Sequence, residues 1–130
     1  MKLRIQGNSL RLRISKSELA RFTETGRIEE TVYFGPEPGS ELTYILARDG
    51  DGAGLDVEAS AGRVKVLVPV GVARGWAESD QVSIDGVVDI GARGRLTILI
   101  EKDFACVDRR DEENADTFPN PAAMAYGCKV

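Results

Sequence analysis

Lys2-Leu3-Arg4-Ile5-Gln6-Gly7-Asn8-Ser9-Leu10-Arg11-Leu12-Arg13-Ile14-Ser15-Lys16-Ser17-Glu18 changes period twice, and those changes decide the fold. Leu3 and Ile5 alternate with Lys2, Arg4 and Gln6. Leu10, Leu12 and Ile14 then alternate with Arg11 and Arg13, so two strands flank the Gly7-Asn8 pair as a β-hairpin. Gly first in a two-residue loop suits a turn that needs positive φ at that position. Ser15 to Glu18 has the S-x-x-E form of a capping box and starts a short helix. Leu19 and Phe22 share one face of that helix, and Gly26 is a residue that can stop it. Ile28–Phe34 and Leu42–Arg48 then read as strands, separated by the turn chemistry of Gly35-Pro36-Glu37-Pro38-Gly39. The unit is ββαββ.

Past Asp49-Gly50-Asp51-Gly52-Ala53-Gly54 the plan starts again, and an ungapped offset lays residues 55–103 over 1–49. Leu3 meets Val57; Leu10, Leu12 and Ile14 meet Val64, Val66 and Val68; Phe22 meets Trp76; Ile28 meets Val82; Leu42–Leu46 meet Leu96–Ile100. The agreement lies in pattern rather than identity, since Glu24, Leu42, Thr43 and Asp49 alone find identical partners. Pro69 opens the second helix where Ser15 opens the first. The expected fold is therefore α+β and antiparallel-rich, with about eight strands and two short helices in two pseudo-symmetric halves. A partly closed barrel and two packed sheets both satisfy that pattern. The reading divides a single domain of residues 1–130 into a first half (1–49), a linker (50–54), a second half (55–103) and a tail (104–130). The acidic linker lacks the twelve-residue spacing of an EF-hand calcium loop.

The 130 residues suffice for a core without staples. No stretch approaches the roughly 20 apolar residues of a transmembrane helix, and charge interrupts the N-terminal residues too often for a signal peptide. The expectation is a cytoplasmic protein with no membrane partner. The net charge of -4 divides into +5 over residues 1–27 and -9 over the rest. An acidic whole disfavours non-specific nucleic-acid binding. The absence of histidine removes every Ser-His-Asp or Cys-His arrangement and the commonest metal ligand.

The first hairpin puts Lys2, Arg4, Arg11 and Arg13 on one face. A basic two-stranded ribbon can hold a phosphate or enter a DNA groove, but it is more often the solvated back of a half-buried sheet. The tail carries Cys106, Asp108, Arg109, Arg110, Asp111, Glu113, Asp116 and Cys128. Four readings of its cysteines stay open: free structural thiols; a Cys106–Cys128 disulfide, which a reducing cytoplasm opposes; a metal site using Cys106, Cys128 and Asp108 or a neighbouring carboxylate; and a Cys106 nucleophile aided by Arg109 and Arg110. Phe118-Pro119-Asn120-Pro121 cannot join a sheet interior, so residues 111–130 are expected to strap back over the body, with Phe118, Met124 and Tyr126 as anchors.

The opening Met1 to Arg13, the closing Glu101-Lys102-Asp103-Phe104-Ala105-Cys106, Phe118 to Pro121 and the terminal-region Cys128 together resemble an uncharacterised bacterial family of short proteins, a domain of unknown function. The resemblance implies a bacterial cytoplasmic origin and carries no activity, ligand or catalytic residue. The residues therefore favour a non-enzymatic binding or interaction module without cofactor, its partner a protein or a second copy of the chain. The alternatives are a thiol- or metal-dependent enzyme or sensor in the tail, and phosphate or nucleic-acid binding by the basic hairpin.

Overall fold

The computed structural model describes residues 1–104 and 116–118. In chain order these form β1 (Lys2–Gln6), β2 (Ser9–Ile14), α1 (Lys16–Thr25), β3 (Arg27–Tyr33), β4 (Glu41–Arg48), β5 (Asp56–Ser60), β6 (Arg63–Val68), α2 (Val70–Ala77), β7 (Ser83–Asp89) and β8 (Arg95–Lys102). A 3-10 turn, Gly91–Arg93, joins the last two strands.

The local signals act as their chemistry requires. Gly7 takes positive φ in the first hairpin turn and Asn8 does not. Ser15 accepts from the Glu18 amide while the Glu18 side chain accepts from the Ser15 amide, which closes the capping box of α1; such a cap contributes about 1 kcal/mol. Gly26 ends α1 at φ 80, a conformation that costs a side-chain-bearing residue more. Pro69 precedes α2 without any side-chain cap.

The strands form two packed four-stranded sheets, ordered β1-β2-β8-β7 and β3-β4-β6-β5, and no closed barrel. The halves are interleaved. The first hairpin of one half pairs with the second hairpin of the other, so each sheet takes two strands from each half. Four ladders are antiparallel, but the two that join the halves, β2 with β8 and β4 with β6, are parallel. Each helix is the crossover that carries the chain from one sheet to the other. The central strands bear the mark of such a position. Leu42–Ala47 and Leu96–Ile100 are nearly continuous apolar runs, the composition of a strand with a parallel neighbour and little solvent contact.

The registers obey the sequence offset. Ser9 pairs with Thr97 in one parallel ladder and Arg63 with Thr43 in the other, and residues 9 and 43 become 63 and 97 when 54 is added. Even single hydrogen bonds repeat: Thr97 N donates to Asn8 O as Thr43 N does to Gly62 O, and Asp103 N donates to Ile14 O as Asp49 N does to Val68 O. One alignment shifts. Ile28 pairs with Leu46, and the matching pair is Ile84 with Ile100, so Ile84 rather than Val82 holds the equivalent place. The connection from α2 to β7 runs through residues 78–82, whereas Gly26 alone joins α1 to β3, and the longer link moves β7 by two positions.

Among the described residues, the larger of two buried apolar clusters serves both halves. Leu12, Ile14, Ile98 and Ile100 from one sheet meet Leu46, Val66 and Val68 from the other, with Phe22 and Trp76 wedged in from the helices. Phe22 and Trp76, equivalent by the offset, touch each other edge to face with centroids 6.4 Å apart, a geometry worth about 0.5–1.5 kcal/mol beyond the area buried. No described helix is long and apolar enough to cross a membrane.

Candidate functional site

The four cations of the first hairpin do share the outer face of the β1-β2-β8-β7 sheet, but carboxylates from the end of β8 meet three of them. Register places Glu101 beside Arg13. One Glu101 oxygen accepts from both Arg11, at 2.7 Å, and Arg13, at 2.6 Å, while Lys2 reaches Asp103 at 3.1 Å. Arg4 lies beside Arg11 across the β1-β2 ladder and makes no ion pair among the described residues. A shallow depression of about 200 Å³ lies there, lined by Arg4, Gln6, Leu10, Arg11 and Leu99 among others. Cys106, Asp108, Arg109, Arg110, Asp111, Glu113 and Cys128 lie outside the described residues, and with them the disulfide, metal and nucleophile readings of the tail.

The described part of the tail packs on the body. Asp116 O accepts from Lys16 N, its carboxylate accepts from the amide and hydroxyl of Ser17, and Phe118 N donates to Asp103 O. Asp116 thus gives α1 a second anionic cap, and the Ser17 side-chain hydrogen bond leads the effects that hold its carboxyl below the usual value. The Phe118 ring lies edge to face with Phe104 and 5.4 Å from the Lys102 ammonium.

Lys102 is buried at the end of β8, where its ammonium donates to Ser79 O at 2.7 Å, just past the C-terminus of α2. Burial lowers its pKa, with Asp80 partly opposing. Arg48 ends β4 in the same way and donates to Thr23 O at 2.7 Å, in the last turn of α1. The offset relates the two cations, yet their surroundings differ. Phe118 covers Lys102, whereas a cleft of about 330 Å³ opens beside Arg48. Phe22, Val70, Ala73 and Ala77 supply its apolar wall, and Thr23, Arg48, Arg74 and Glu78 its polar groups. The volume falls at the lower end of the about 300–1,000 Å³ that small-ligand sites occupy. Arg74 makes no ion pair among the described residues. Apolar walls with a few polar groups fix the orientation of a ligand.

A second break in symmetry is internal. The Met1 ammonium donates to Glu18 and, at 2.7 Å, to Glu30; the Tyr44 hydroxyl lies 3.0 Å from Met1 O and donates to Glu30 at 2.8 Å. Burial raises the Glu30 carboxyl, but hydrogen bonds from the Met1 ammonium and Tyr44 outweigh it, leaving a pKa below the usual carboxylate value. Burial, then Glu30, pushes Tyr44 up to about 12. In the second half the equivalent positions are Leu55, Val72, Gly86 and Ile98, and Leu55 packs where a Cβ on Gly86 would stand, within 3.1 Å. A polar cluster in one half is an apolar contact in the other.

Hydropathy reading singled out neither the cleft nor this cluster. The offset already aligned Arg48 with Lys102 and Tyr44 with Ile98, and that was the signal available for both.

The model of DUF7009, a family of unknown function, matches residues 1–122. No curated protein and no solved structure matches the chain.

Proposed function

We propose that this chain, which belongs to DUF7009, a family of unknown function, is a non-enzymatic binding module and that it binds in the cleft between α1 and α2. The observation that carries the reading is the cleft itself: an apolar wall from both helices, two arginines in its lining, and an edge-to-face contact of Phe22 with Trp76 that joins the helices. Such a surface selects a ligand with a small apolar body and an anionic end, presented by a protein partner. The two interleaved halves are the scaffold, and their matched registers favour an internal duplication whose copies diverged at this place. The basic hairpin is the lesser candidate, because Glu101 and Asp103 already meet Arg11, Arg13 and Lys2.

Titration of the ¹⁵N-labelled protein with 3-phenylpropanoate, which carries a phenyl ring and a carboxylate, tests the reading. The amide resonances of Thr23, Arg48, Arg74 and Ala77 should move together and saturate. Shifts confined to β1 and β2 would transfer the site to the basic hairpin.

A further inference from the structure

We infer that the cleft beside Arg48 receives an extended peptide of a partner protein, in which an aromatic side chain follows a carboxylate within two residues. The inference rests on the cleft being the binding site and names what enters it.

The argument starts from the place the offset assigns to Phe118. Lys102 corresponds to Arg48, Trp76 to Phe22 and Lys16 to Val70. Around Lys102 the chain fills its own groove: Asp116 O meets the Lys16 amide, the Phe118 amide meets Asp103 O, and the Phe118 ring lies over the Lys102 ammonium. Around Arg48, Gly50 O meets the Val70 amide, and among the described residues no ring lies over the guanidinium. Phe22, Val70, Ala73 and Ala77 supply the apolar wall and Arg48 supplies the cation; Asp49, equivalent to Asp103, is exposed and follows Arg48 in the chain. An aromatic ring entering this space would stack on the Arg48 guanidinium as Phe118 does on Lys102, a contact worth about 0.5–2 kcal/mol, and its amide could donate to Asp49 O.

The carboxylate is held differently in the two places, and the difference gives the cleft its selectivity. Asp116 caps the first turn of α1 through Ser17, but the position equivalent to Ser17 is Gly71, which has no hydroxyl. The Val70 amide, equivalent to that of Lys16, is already bonded to Gly50 O at 3.0 Å. What the second helix offers instead is Arg74, where the first has Ala20. With Arg48 and Arg74 against Glu78, the lining carries a net positive charge, which complements an acidic peptide.

The test uses the full chain and a capped synthetic peptide of sequence Asn-Ala-Asp-Thr-Phe-Pro-Asn, the chemistry found at residues 114–120, in calorimetric titration. Binding should be saturable, lost when the peptide phenylalanine is replaced by alanine, and weakened about tenfold by Arg74→Glu, which corresponds to about 1.4 kcal/mol. Arg74→Glu changes an exposed side chain, and circular dichroism checks that the variant is folded. No binding at millimolar peptide overturns the inference. So does binding that Arg74→Glu leaves unchanged, since the peptide would then be displacing the chain's own Phe118. If 3-phenylpropanoate shifts the cleft resonances while the peptide does not bind, the cleft stands as a binding site and the peptide assignment falls.

Discussion

Arg48 and Lys102 end the two central strands β4 and β8, and each donates to a carbonyl near the end of a helix, Thr23 O and Ser79 O, both at 2.7 Å. The lysine is the buried member of the pair and the arginine the more exposed one. Hydrogen bonds to charged groups contribute about 1.5–3 kcal/mol where water is excluded and less where it is not. Lys102→Met should therefore destabilise by about 1.5–3 kcal/mol and Arg48→Met by less than about 1 kcal/mol. Urea unfolding of the two variants checks this, and equal losses would show that burial does not separate the sites.

Trp76 is fully buried and its indole donates to Val82 O at 3.1 Å. Trp76→Phe keeps most of the ring packing against Phe22 and removes the indole hydrogen bond, while Val82 O still accepts from Lys102 N at 3.0 Å. A loss of about 0.5–1.5 kcal/mol is expected in thermal or urea unfolding. Phe22→Leu, which surrenders the edge-to-face contact and leaves a small cavity at a fully buried position, should cost about 1–2 kcal/mol.

The cluster of Met1, Glu18, Glu30 and Tyr44 makes a pH prediction at both ends of the scale. A carboxyl whose folded pKa is depressed stabilises the fold above its unfolded pKa, and that contribution fades as pH falls through the folded value. Glu30 is of this kind, so Glu30→Gln should flatten the acid limb of stability against pH. A phenol whose folded pKa is raised contributes fully below its unfolded pKa of 10.0 and loses the contribution as pH rises through about 12. Absorbance at the tyrosinate band should show a step near 12 that Tyr44→Phe removes.

Asp116 caps α1 from outside the helix, with a carboxyl held below the usual range by Ser17. Asp116→Ala should lower stability by about 1 kcal/mol, the usual worth of a cap. The effect should shrink at acid pH, where the wild-type carboxyl is protonated. Removal of residues 111–130, which deletes Phe118 as well, should lower the melting temperature further than Asp116→Ala does. An unchanged melting temperature would deny the tail its strapping role.

The elements were legible because each rests on local chemistry: alternation in β1 and β2, the Ser15–Glu18 box, Gly26 as a stop. The partnering of strands was not, because alternation says which face is buried and not which neighbour lies alongside. The parallel joins of β2 with β8 and β4 with β6 left one trace, the unbroken apolar runs of Leu42–Ala47 and Leu96–Ile100. The misalignment of Val82 has a similar cause, since hydrophobic pattern cannot reveal a two-residue lengthening inside a polar connection. The basic face of Lys2, Arg4, Arg11 and Arg13 was visible by period alone. Its neutralisation was not, because Glu101 reaches Arg11 and Arg13 through a ladder that spans almost the whole chain. The cleft beside Arg48 was hidden for a related reason: its walls come from both helices, and it stands out only against the place where Phe118 covers Lys102.

Interleaving of the halves underlies all of this, and methyl–methyl nuclear Overhauser contacts in the selectively labelled full chain test it most directly. Leu12 should show cross-peaks to Ile100, and Leu46 to Val66, the pairs that the two parallel ladders set side by side. Cross-peaks that instead joined Leu12 to Leu46 as ladder neighbours, with none between Leu12 and Ile100, would mean that each half closes its own sheet and would contradict the account.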